Sequence, residues 1–147
     1  MKTFRLGRVQ CQVPDGFDVA AEDDSTVVTA SDRGFQFRLS AIGVMKSGVL
    51  VPDAGRRYVE DRGRKEQREI VKKEEKVWFS FPDTAIGGEE DTATWYVGID
   101  THVIIISAWI VSPADTTPAS IAECVVATIG TLALLPPEPN HESSAAP

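Results

Sequence analysis

Polar and apolar positions alternate with a period of two over much of this chain, and two stretches break that rhythm with helical spacing. Residues 102–111, HVIIISAWIV, are apolar at odd and even positions alike, the pattern of a strand buried on both faces. The run before it, ATWYVGI, meets it at Asp100-Thr101, a connection short enough only for a hairpin. In an earlier strand Phe35, Phe37, Leu39 and Ala41 fall on one side and Gln36, Arg38 and Ser40 on the other, so one face is wet. Val77, Phe79 and Phe81 share a face of a strand at 76–81, and Arg8–Val13, Phe17–Ala20 and Ser25–Ser31 also read as extended. Pro14-Asp15-Gly16 and Asp32-Arg33-Gly34 are the turns between them, Gly34 being free to take positive φ.

The first helical segment starts at Pro52-Asp53, where Asp53 can accept from the amides of the first turn. Ala54, Tyr58 and Val59 give it a narrow apolar stripe, and dense mixed charge follows to Lys76. Gly63 weakens it, and Glu69–Lys73 could already be extended. The second segment is better patterned: Ile121, Cys124, Val125, Thr128, Ile129 and Leu132 recur at helical spacing behind Thr117-Pro118. Strands joined by tight turns, with no room for crossover helices, predict an α+β fold. The expectation is a single antiparallel, strongly twisted sheet of about six strands, flanked by a charged mid-chain helix and an apolar C-terminal one. One sandwich domain spans 1–135, and the Pro/Ser/Ala-rich 136–147 reads as a disordered tail.

Composition changes the picture mainly through charge. The net charge is −7, yet residues 53–76 carry nine basic groups against seven acidic ones, a local +2 that leaves −9 for the rest. An acidic body repels phosphate backbones, which argues against nucleic acid as a partner. The apolar stretch 119–135 contains Glu123 and falls short of the ~20 residues needed to cross a bilayer, so membrane insertion is not expected. Without a signal-peptide pattern at the start, and with Cys11 and Cys124 far apart in apolar surroundings, buried free thiols in a reducing cytoplasm are expected.

Known chemistries find little to stand on. His102, His141, Cys11 and Cys124 lack metal-site spacing, Asp100-Thr101-His102 are mere sequence neighbours, and Gly87-Gly88 is followed by three acids that would repel a phosphate. No catalytic residue, metal or cofactor is therefore assigned. The acidic runs Glu22-Asp23-Asp24 and Glu89-Glu90-Asp91, with Asp83, Arg56 and Arg57, are candidate protein-binding surfaces, since clustered charge steers a charged partner. Trp78, Trp95 and Trp109 sit on strands expected to be neighbours, as core or as a pocket rim. An alternative is a pocket for a small ligand, or for modest catalysis, near Trp95 and His102.

The opening VQCQVPDGFDVA resembles the V-P-x-G-aromatic start of the PsbP-like α+β sandwich superfamily, and the later order of helix, meander and terminal helix over about residues 8–133 is similar. That superfamily includes a photosystem extrinsic protein, a Ran-binding import factor and bacterial DcrB-like proteins; small bacterial immunity factors look alike. The resemblance implies a non-enzymatic scaffold that binds another protein, for example a basic toxin that it neutralises. A further alternative is a structural subunit of a larger assembly.

Overall fold

The computed structural model describes residues 1–81 and 92–137. In chain order the strands are β1 (Lys2–Leu6), β2 (Val9–Val13), β3 (Asp18–Ala21), β4 (Thr26–Ala30), β5 (Phe35–Gly43), β6 (Met45–Lys46) and β7 (Val49–Leu50). Helix α1 (Ala54–Lys65) follows, then β8 (Val71–Lys73), β9 (Lys76–Phe81), β10 (Thr92–Ile99), β11 (His102–Ile110), helix α2 (Pro118–Thr131) and β12 (Ala133–Leu134). The fold is α+β with antiparallel sheets. A seven-stranded sheet runs in the order β3-β4-β5-β11-β10-β9-β8, and β1, β2 and β12 form a separate three-stranded sheet. There β2 pairs with β1 in a local hairpin on one side and with the segment after α2 on the other, where Ala133 lies opposite Gln10. Pairing so distant in sequence has no local signature.

Register divides the main sheet into two faces. Trp95 lies opposite Ile106 and Ser80, and Ile106 lies opposite Leu39, which fixes one face. That face carries Phe35, Phe37, Leu39, Val97, Ile104 and Ile106, and packs against Val9, Cys11 and Val13 of β2 and Ile121, Val125 and Ile129 of α2. Three apolar layers meet there, and this is the main core. The opposite face presents Val77, Phe79 and Val103 to Val59 of α1 in a smaller cluster. Because α1 covers only part of this face, β11 is buried on both sides at Val103 and Ile104, while Ile105, Ser107 and Trp109 remain half-exposed. The sequence expectation of two-sided burial therefore holds at one end of that strand.

Helix α1 lies against the sheet through glycine. Its buried positions are Gly55, Val59 and Gly63, one turn apart, and not the expected stripe with Tyr58, which is 43% exposed. A Cβ on Gly55 would fall onto the His102 carbonyl, and one on Gly98 would meet the Gly55 carbonyl oxygen at 2.7 Å. Gly63, expected to weaken the helix, is where the helix touches Phe79 and Ile70. The expected cap is also corrected. The Asp53 side chain makes no cap bond and is held by Arg56 at 3.1 Å, whereas Asp100 of the β10–β11 hairpin accepts from the Asp53 amide through Oδ1 at 2.7 Å. The Asp100 carbonyl accepts from the Gly55 amide at 2.7 Å. The hairpin, not the helix's own N-cap, satisfies the orphan donors.

Helix α2 follows expectation. Thr117 Oγ1 accepts from the Ser120 amide at 3.1 Å, Pro118 opens the first turn, and Lys76 Nζ donates to the Gly130 carbonyl at 2.9 Å near the other end. Gly34, with φ 78°, closes the β4–β5 connection as the turn reading required. A short hairpin, β6–β7, leaves Met45 and Val49 exposed.

Candidate functional site

Helix α2 packs on the main core and is tied near its end to Lys76, and it leaves part of the β8–β9–β10 flank uncovered. An apolar cleft of about 680 Å³ opens there, within the roughly 300–1,000 Å³ span of small-molecule sites. Trp78 and Trp95, on adjacent strands and the same sheet face, supply aromatic surface. The small side chains of Ala93 and Ala108, directly opposite each other in the register, create the depth. Ile121, Ala122 and Val126 of α2 form the facing wall. Substituting bulk at the two alanines would close the space, so the volume is a consequence of residue size at two paired positions.

The mouth is lined by Arg68 and Glu69, between α1 and β8, and by Val71, the first residue of β8. Arg68 is held in place: its Nε donates to the Ser80 carbonyl at 2.9 Å, and its guanidinium lies 5.3 Å from the Phe81 ring centroid. Glu69 and Val71 are exposed.

The residues singled out from sequence separate in space. Trp95 lines the apolar cleft; His102 lines a different groove of about 700 Å³, of mixed character, with Arg5, Arg8 and Glu22, Asp23 and Asp24. A single pocket shared by Trp95 and His102 is thus not what the fold builds. Trp109 faces the other side of the sheet, where its Nε1 donates to Gln36 at 3.0 Å. His102 is 9% exposed, its Nδ1 is 2.8 Å from Thr101 Oγ1, and burial, together with the charge of Arg8, pushes its pKa below the ordinary value. Both influences favour the neutral imidazole. Glu22 pairs with Arg38 at 2.9 Å, while Asp23 and Asp24 are exposed beside it. Arg56 is tied to Asp53, with its buried Nε lacking a partner among the described residues, and Arg57 is exposed. Asp83, Glu89, Glu90 and Asp91 lie outside the described residues, as do His141 and most of the expected tail.

Both thiols are free and buried. Burial pushes Cys11 up to about 12, and it raises Cys124 as well. Among the described residues no three His, Cys, Asp or Glu side chains gather as a metal site, and no helix is long and apolar enough to cross a membrane. Sequence reading missed the cleft because its depth comes from two alanines whose pairing only the register reveals. The signal available was the pair Ala93 and Ala108 within otherwise bulky strands.

No protein-family model matches the sequence, and no curated protein does, so neither comparison supports the PsbP-like resemblance drawn from the turn motif and element order. Among solved structures, the chain is similar to a protein of Bacteroides thetaiotaomicron VPI-5482 whose crystal structure was determined at 1.50 Å, with a TM-score of 0.63 and 15% identity. The match covers 92% of this chain and 48% of that one, so this chain spans about half the length of the protein it resembles. At that identity the likeness is one of fold.

Proposed function

We propose that this chain is a binding protein, acting without covalent chemistry, whose site is the apolar cleft between α2 and the Trp78–Trp95 wall. The observation that carries the reading is the depth at Ala93 and Ala108, enclosed by aromatic and aliphatic surface and entered beside Arg68. Apolar surface of this kind gains free energy when a ligand replaces water, about 0.8 kcal/mol for each methylene buried. An unbranched alcohol series tests it, read by tryptophan emission in a Trp109→Phe background so that Trp78 and Trp95 report. Affinity should tighten about fourfold per methylene, and Ala122→Phe, which fills the cleft from the α2 side, should abolish saturable binding while unfolding stays cooperative. Binding that survives Ala122→Phe unchanged, or no saturable change with any alcohol, would overturn the reading.

A second reading, docking of a basic protein such as a toxin, draws support from the exposed Asp23 and Asp24 at the rim of the His102 groove. It expects affinity to fall as salt rises. Reversal of Asp23 and Asp24 to lysine should weaken such a complex, and salt-independent association would exclude the charge mechanism.

A further inference from the structure

Resting on the reading of the cleft as a ligand site, we infer that its ligand is an amphiphile with an anionic end, an apolar chain or ring system carrying a carboxylate or similar group that Arg68 receives at the mouth. Three observations converge. The interior is apolar, so it selects no polar body. The cation among the lining residues is fixed: Arg68 spends its Nε on the Ser80 carbonyl and lies against Phe81, so its two terminal nitrogens are the donors left for a ligand. Its neighbours in the basic segment are spent differently. Arg62 holds Glu66, Arg64 holds Glu60 and Asp61, and Lys72 holds Glu60; among the described residues Arg68 takes no carboxylate, and other cations without one, Arg57, Lys65 and Lys73, do not line the cleft.

The acid at the same mouth does not cancel this. Glu69 is exposed and screened by water, while Arg68 is half-buried and pinned, so among the described residues lining the cleft the guanidinium is the stronger charge. Planar fork geometry favours a carboxylate over a neutral hydroxyl, and a cationic head would meet Arg68 directly.

Three probes with the same ten-carbon chain separate the head group from the cleft: decanoate, decanol and decyltrimethylammonium, each titrated at pH 7 against the Trp109→Phe protein. Decanoate should bind at least about tenfold more tightly than decanol, since a charge-assisted hydrogen bond replaces a neutral one. The cationic probe should be weakest. Arg68→Gln should remove the preference for decanoate, lowering decanoate affinity at least about tenfold and decanol affinity far less, with cooperative urea unfolding reporting that the fold is intact; Glu69→Gln should strengthen decanoate binding. Equal affinity for decanoate and decanol, a preference that survives Arg68→Gln, or tightest binding of the cation would overturn the assignment of the anionic end while leaving the cleft as the site. Failure of all three probes to bind would overturn both.

Discussion

Replacing Gly98 by alanine should detach α1 from the sheet more effectively than truncating any side chain of that interface. An added Cβ would lie 2.7 Å from the Gly55 carbonyl oxygen and 2.8 Å from Arg56 Cα, where ordinary contact begins near 3.4 Å. Both neighbours are backbone, so rotamer change cannot relieve the overlap; the helix must rise, opening the contact of Val59 with Val77 and Val103. Overpacking costs about 1–3 kcal/mol, and backbone neighbours put this case at the upper end. Lost chain entropy of the unfolded state returns about 0.5–1 kcal/mol. The net destabilisation should be about 2 kcal/mol, or roughly 6 °C for a chain of this length. Urea unfolding followed by tryptophan emission measures it, with Gly130→Ala as the companion. Gly130 lies in α2 with no neighbouring atom within 4 Å of the place an added methyl would occupy and no positive φ, so alanine there should stabilise by about 0.5–1 kcal/mol. If Gly98→Ala proved as harmless as Gly130→Ala, the close helix–sheet contact would not exist.

Other consequences follow from capping and titration. Asp100→Ala should cost about 2 kcal/mol, from the lost bond to the Asp53 amide and from placing alanine at φ 46°; Asp100→Asn, which keeps an oxygen and tolerates that φ, should cost well under half as much in the same urea assay. His102 has a folded pKa below the unfolded 6.5, so its contribution is present above that value and is lost as the pH falls. The melting temperature of wild type should therefore drop more steeply below pH 6.5 than that of His102→Gln, and parallel curves would exclude the effect. Cys11 is shifted upward from 9.0 to about 12, so its contribution is intact below 9.0 and is lost as pH rises between those values; Cys11→Ala should flatten the alkaline limb of a stability–pH curve. In native protein at pH 8, a thiol reagent should label neither cysteine until urea unfolds the chain.

How far the sequence carried depends on the range of the interaction. The β10–β11 hairpin, the one-sided pattern of β5, the turn at Gly34 and the buried face of α2 were legible because each is written within a dozen residues. The departure of β2 from the main sheet was not: it pairs over five positions with β1, a segment read as a basic lead-in, and its other partner, the two-residue β12, lies across the whole chain. Helix α1 misled for a different reason: its buried face is built from glycines, and an apolar pattern search looks for side chains where this interface uses their absence. The same holds for the cleft, whose floor is two alanines. His102 and Trp95, both visible as unusual residues, gave no hint that they belong to opposite ends of one sheet face.

The central claim, that the Trp78–Trp95 cleft is where a ligand sits, is tested most directly by the indole N–H signals of ¹⁵N-labelled protein titrated with decanoate. Three tryptophans give three assignable signals. Trp78 and Trp95 should shift together and saturably, while Trp109, on the far face and bonded to Gln36, stays in place. Movement of Trp109 alone, or three stationary signals at saturating decanoate, would contradict the account.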